Sequence, residues 1–212
     1  MIAHETQQEF VELLLAGNTV ALNDLVAKLV SSGLQVKEIY ISLFQYALYQ
    51  VGTLWENNRI SVAAEHMATL LVLSLFHHVY PQLFSTARRN KSVLVVCTPG
   101  ESHYIGARMV ADIAEMHGWD SFFIGGDVPL PDILAMIKKH DPDLMAVSMT
   151  IYSNLPSMLG LLARTRAAYP ALPIVVGGQG FTVGDTDAIA QYDGITYCNS
   201  LARYESILDK HD

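Results

Sequence analysis

Over roughly the first 86 residues, apolar positions recur every three or four residues, the mark of amphipathic helices. The stretch QQEFVELLLAG stops at Gly17 and TVALNDLVAKLVSSG stops at Gly33, and glycine commonly ends helices. A third helix starts near Gln35 and carries Val36, Ile39, Leu43, Ala47, Val51 and Leu54 on one stripe before it breaks at ENNR. A fourth starts at Ser61, a good N-cap residue, with Val62, His66, Thr69, Leu73, Phe76 and Tyr80 as its stripe. Four helices with short connections predict an antiparallel four-helix bundle over residues 1–86.

After STARRNKS, which reads as a linker, the period changes. Short apolar runs at Val93–Cys97, Ser121–Ile124, Leu144–Ser148, Ile174–Val176 and Ile195–Tyr197 alternate with helical patterns near 104–117, 130–139, 155–168, 184–191 and 200–209. Repeated β–α units predict an α/β domain over residues 91–212, a doubly wound, five-stranded parallel sheet. The right-handed crossover rule leaves few topologies, and a flavodoxin-like, Rossmann-type strand order fits five strands best.

Composition narrows the functional classes. Of 212 residues 51% are hydrophobic and 16% are charged, so the chain can bury a core. A net charge of -8, with 13 scattered Lys and Arg, argues against a nucleic-acid surface, which needs a clustered basic face. Residues 66–87 lack Asp, Glu, Lys and Arg and are long enough to raise a membrane span. The stretch includes His66, Thr69, Ser74, His77, His78, Pro81 and Gln82, and a buried bundle helix explains it better. The polar, acidic start MIAHETQQEF is no signal peptide, and Cys97 and Cys198 form neither a CxxC pair nor a metal spacing. The expected setting is a reducing cytoplasm, with Cys97 a buried structural thiol.

The chemistry gathers at strand ends. His103 falls in the loop between the first strand and its helix, where parallel α/β sheets place their ligands. Alone it could be an ordinary loop histidine, Ser148 a helix cap, and Gly177–Gly178 a tight turn. Together they form an ordered series: Glu101-x-His103-x-x-Gly106, then Ser148-x-Thr150, then Gly177-Gly178.

This series resembles the cobalamin-binding domain of methionine synthase, methylmalonyl-CoA mutase and the corrinoid proteins, whose motif is Asp-x-His-x-x-Gly, then Ser-x-Leu or Ser-x-Thr, then Gly-Gly. GGDVP at Gly125–Pro129 is also similar to the family. The resemblance covers residues 91–212 and implies that His103 is the lower axial ligand of cobalt, displacing the cofactor's own dimethylbenzimidazole. It further implies that Gly106, Gly177 and Gly178 make room for the nucleotide tail, that Ser148 donates to it, and that Thr150 lines it. Ser102, Tyr104 and Ile105 complete the cofactor-binding loop. The family's Asp orients the histidine by accepting its other N–H. Glu101 stands in that place, one methylene longer, which leaves its hydrogen bond to His103 open.

The stretch LWENNRISVAAEHMAT sets Trp55 nine residues before Glu65-His66. This spacing resembles the CarH and LitR type of light-sensing B12 regulators, in which Trp and Glu-His enclose the upper adenosyl group. The resemblance implies a flat apolar lid from Trp55, a ribose acceptor at Glu65, and a preference for adenosylcobalamin over methylcobalamin. Once the adenosyl group leaves, Glu65 would be a carboxylate without a partner. Those regulators carry a helix-turn-helix domain before the bundle. This sequence starts with the bundle, a layout similar to the AerR type. Glu56 replaces the histidine that follows Trp in CarH, so His66 is the candidate substitute.

On this resemblance the chain is a cobalamin-binding, light-sensing regulatory protein and not an enzyme. Its partner would be a protein such as a transcriptional regulator, with no direct contact to nucleic acid or membrane, and its bundle is a candidate for homo-oligomer formation. The alternatives are a corrinoid methyl carrier, the corrinoid subunit of a methyltransferase system, and a cobalamin storage or delivery protein.

Overall fold

A computed structural model describes residues 2–84, 86–182, 187–190 and 192–210. The chain divides into two compact units, Met1–Ser85 and Thr86–Asp212.

The first unit is helical. It comprises α1 (His4–Leu15), α2 (Thr19–Ser31), α3 (Val36–Ile39), a π-helical turn (Tyr40–Gln45), α4 (Tyr46–Glu56) and α5 (Val62–Leu75). Asn18 caps α2 by accepting from Ala21 N, and Ser61 caps α5 by accepting from Ala64 N. The third sequence-predicted helix is thus α3 and α4 joined through a wider π turn, a local form the apolar stripe does not announce. Tyr40, Leu43 and Phe44 from that turn are buried, and the rings of Tyr40, Phe44, Phe10 and Phe76 pack on one another.

The phase of α5 differs from the expected stripe. Within α5, Ala68, Val72 and Leu75 face the core, whereas Val62 and His66 are exposed; the helix ends at Leu75, and in the turns beyond it Phe76 of the expected stripe is buried and Tyr80 is exposed. A helix that is apolar on most sides has little amphipathic signal, so its sequence does not fix which side is inward. Part of its apolar surface faces outward, with Leu70 61% exposed. Among the described residues no helix is long and apolar enough to cross a membrane.

The second unit alternates strand and helix: β1 (Ser92–Cys97), α6 (Ile105–Met116), β2 (Asp120–Phe123), α7 (Leu130–His140), β3 (Leu144–Ser148), α8 (Leu155–Ala168), β4 (Ile174–Gly177), α9 (Asp187–Ala190), β5 (Ile195–Cys198) and α10 (Leu201–Lys210). The sheet is parallel with order β2-β1-β3-β4-β5, the flavodoxin-like order expected. The helix expected at 184–191 is described only at 187–190. Residues 183–186 and 191 lie outside the described residues.

Alternation along the buried strands separates two cores. Val93, Val95, Cys97, Leu144, Ala146, Val175 and Cys198 meet α6 and α10 on one face. Leu94, Val96, Met145, Val147, Ile174 and Val176 meet α7 and α8 on the other. Both cysteines are buried, as expected of a structural thiol at Cys97, and burial pushes the Cys97 thiol up to about 12.

The basic run read as a linker is fastened to the base of this unit. Arg88 pairs with Glu115 at 2.7 Å and with Asp120, and it donates to Trp119 O at 2.8 Å. Arg89 reaches Asp209 and Lys91 reaches Asp143. Gly118 passes so near that a Cβ there would lie 2.2 Å from Ala87 O. The partners are dispersed along the sequence, so the run alone looks unattached.

Candidate functional site

The strand order reverses between β1 and β3, so their following loops flank a crevice at the carboxyl edge of the sheet, the usual ligand position in such folds. The loop after β1 turns sharply. Glu101 N donates to Thr98 O at 2.9 Å, and Gly100 takes φ +83°, a value suited to glycine. This turn directs Glu101 inward, where it is 1% exposed.

Five donors converge on the Glu101 carboxylate. Oε1 accepts from His103 Nδ1 at 2.5 Å and from His103 N at 3.0 Å. Oε2 accepts from Thr150 N at 3.1 Å, Ile151 N at 2.9 Å and Asn154 Nδ2 at 3.1 Å. The hydrogen bond that the extra methylene left open is therefore made. The longer side chain also spans to the loop after β3.

Burial alone would push this carboxyl up. The hydrogen bonds from His103 and from the Ile151 and His103 backbone N–H groups, with the attraction of the imidazole, outweigh burial and hold it at about 2. An ionised carboxylate has no proton to give, so His103 Nδ1 must be the donor. That tautomer leaves Nε2 as the nitrogen with which a neutral ring ligates a metal. The His103 side chain is 44% exposed.

A depressed carboxyl stabilises the folded state fully above its ordinary value near 4.5, and that stabilisation is lost as pH falls through about 2. The shift corresponds to roughly 3 kcal/mol. Denaturant unfolding of the apoprotein should therefore show stability declining below about pH 4.5, with a visibly smaller slope for Glu101→Gln. Equal slopes for the two proteins would contradict this.

The remaining expected residues divide. Thr150 joins the network through its N–H, and its Oγ1 donates to His103 O at 3.4 Å. Ser148 ends β3 beside Cys97, and its carbonyl accepts from the Thr98 N–H and hydroxyl. Ile105 is buried, Tyr104 is half-buried and Ser102 is exposed. A Cβ at Gly106 would meet nothing within 4 Å, which suits an approaching ligand.

The glycine pair also answers a demand of the fold itself. A Cβ at Gly177 would lie 2.6 Å from Cys198 O, and one at Gly178, whose φ is +115°, would lie 2.3 Å from Met149 O. Close backbone approach within the sheet already demands both glycines.

Sequence reading missed Asn154 and Ile151, and it took in Gly126 only as part of GGDVP, without its role. A Cβ on Gly126 would lie 2.7 Å from Glu101 O, and Asp127 N donates to that same oxygen. Pro99-Gly100 was the available signal for the turn, and GGDVP for the supporting loop. Asn154 has no local signal.

In the helical unit, Trp55 lies at the end of α4 and is 40% exposed. Glu65 Oε2 accepts from His66 Nδ1 at 2.5 Å, and Oε1 accepts from Thr69 Oγ1 at 2.7 Å. Glu65 therefore has partners within its own helix. The expectation that a lost ligand would strand its carboxylate is corrected: α5 supplies acceptable donors one and four residues on.

A family model described as B12 binding domain matches residues 91–199, and a second of the same description matches residues 6–79. The HTH-type transcriptional repressor CarA of Myxococcus xanthus is 28% identical over 122 residues, which cover 58% of this chain and 42% of that protein. The chain thus spans less than half of that relative's length. Dimethylamine corrinoid protein 3 of Methanosarcina acetivorans is 25% identical over 143 residues, 66% of this chain and 67% of that one. The monomethylamine corrinoid protein of Methanosarcina barkeri superposes with a TM-score of 0.83 at 16% identity, covering 97% of this chain and 98% of that chain.

Proposed function

The chain belongs to the B12-binding domain family, and from that premise we propose that it is a light-responsive cobalamin sensor acting on a protein partner. Its role is that of a carrier or regulator and not of a catalyst. The carrying observation is the Glu101–His103 pair at the β1/β3 crevice, which fits a metal whose other ligands come from a macrocycle. His103 would hold the cobalt's lower face, oriented by Glu101, with Thr150, Ile151 and Asn154 fixing the carboxylate. Gly106 and the small residues Ser148 and Gly177 would accommodate the nucleotide tail. The bound corrinoid would supply visible absorption and a photolabile cobalt–carbon bond.

Trp55, Glu65 and His66 are assigned to recognition of the upper ligand. An exposed tryptophan offers a flat apolar surface, and Glu65 with His66 offers acceptors and donors to a ribose. This pattern, together with similarity to a transcriptional repressor, supports the sensor reading. A methyl carrier is the second reading, supported by similarity to a dimethylamine corrinoid protein over two thirds of its length.

Adenosylcobalamin should bind more tightly than methylcobalamin. Green light should change the absorption spectrum of the adenosylcobalamin form and its elution volume, and Trp55→Ala should reduce the elution change. Equal affinity for the two cobalamins with an unchanged elution volume would remove the sensor reading in favour of the methyl carrier.

A further inference from the structure

Beyond Leu75 the helical unit makes two 3-10 turns, Phe76–His78 and Tyr80–Gln82. Phe76 and Val79 are buried, which pins the backbone on either side of His77 and His78. The two imidazoles stand side by side, with ring centroids 3.9 Å apart and planes inclined by 36°. His77 is exposed and His78 is half-buried.

Each ring commits one nitrogen to an acceptor. His77 Nδ1 lies 2.5 Å from Ser74 O, and a carbonyl can only accept, so Nδ1 carries the proton. His78 Nε2 lies 2.9 Å from Asn23 Oδ1 of α2. The Asn23 amide is itself oriented, because its Nδ2 donates to Thr19 O at 2.8 Å. Oδ1 is thus the atom that faces the ring, and His78 carries its proton on Nε2. In the neutral rings the lone pairs are left on His77 Nε2 and His78 Nδ1, and neither nitrogen has a partner among the described residues. Burial, and after it the neighbouring His77, push His78 below the ordinary histidine range, which keeps its ring neutral at neutral pH.

Metal-ligating histidines are built in this way: the far N–H donates to a fixed acceptor, which sets the tautomer and aims the other nitrogen. Here two adjacent rings are prepared so, with opposite tautomers. We infer that His77 and His78 form a two-imidazole site for a divalent transition metal of the zinc or copper class, with water completing the coordination shell. A pair of nitrogen donors does not suit Mg2+ or Ca2+, which take oxygen ligands. Because Asn23 orients His78, a bound metal would also hold the end of the α5 segment to α2. The site shares no residue with the crevice around His103 and does not depend on the cobalamin reading.

The test follows the ring nitrogens of the full-length apoprotein, labelled with 15N-histidine, by NMR. Before metal is added, His77 should show the Nδ1–H tautomer and His78 the Nε2–H tautomer. As Zn2+ is titrated, the two rings should shift together and ahead of the other histidines, whereas Mg2+ should shift neither. Asn23→Ala should weaken zinc binding by about 10–100-fold, the cost of losing a partner that orients a metal ligand. His77→Gln should weaken it at least as much, with an unchanged circular dichroism spectrum because the side chain is exposed. The site is overturned if His77 and His78 respond at different zinc concentrations, if another histidine saturates first, or if His77→Gln keeps wild-type affinity.

Discussion

Replacing His103 by alanine should lower cobalamin affinity on the order of 100-fold or more, because removal even of a group that only supports a metal ligand costs 10–100-fold. The visible spectrum of any bound cobalamin should lose its histidine-ligated form. Added imidazole should restore part of it, since the substitution opens space beside a carboxylate still held by Thr150, Ile151 and Asn154. The apoprotein should keep its fold, because His103 is nearly half exposed and contributes two of the five donors to Glu101. Spectrophotometric titration checks both effects, and a mutant that matches wild type in affinity and spectrum would contradict the assignment.

Glu101→Ala should act on stability as well as on binding. It would leave part-buried donors from His103, Thr150, Ile151 and Asn154 without their acceptor. Removing one partner of a buried charged network costs on the order of 3–5 kcal/mol. Urea unfolding should show that loss in the apoprotein, and cobalamin affinity should fall about 10–100-fold as the imidazole loses its orienting partner. Glu101→Gln keeps the side-chain length but offers only one acceptor oxygen, so it should lie between Glu101→Ala and wild type in stability. Two substitutions indistinguishable from wild type would show that the network is dispensable.

The strand edges and the order of the sheet were legible because buried parallel strands are short apolar runs separated by turn residues. The position of His103 followed from the same rhythm. The consequence of having Glu101 in place of aspartate was not legible. It depends on β1 lying beside β3, which brings Thr150, Ile151 and Asn154 to a carboxylate about 50 residues earlier in the chain. The basic run at 87–91 misled for a similar reason, since Asp120, Glu115, Asp143 and Asp209 meet it only in the folded unit. In α5 the difficulty was local. A stretch without charged residues over 66–87 carries too little contrast to show that Ala68, Val72 and Leu75, and not His66 and Leu73, point to the core. Gly177 and Gly178 were legible as special positions, but the backbone neighbours that crowd them were not. Neighbouring backbone at Cys198 and Met149 already excludes a side chain there.

The central claim is that the imidazole of His103 ligates cobalt through Nε2 while Nδ1–H is held by Glu101. Electron paramagnetic resonance of the protein loaded with cob(II)alamin reads the axial nitrogen directly, because its nuclear spin splits the cobalt lines. Wild-type protein prepared with 15N-labelled histidine should show the axial splitting change from the three-line pattern of 14N to the two-line pattern of 15N, and His103→Ala prepared in the same way should not. A three-line splitting retained in labelled wild-type protein would mean that the cofactor's own base remains on cobalt, and it would contradict the account.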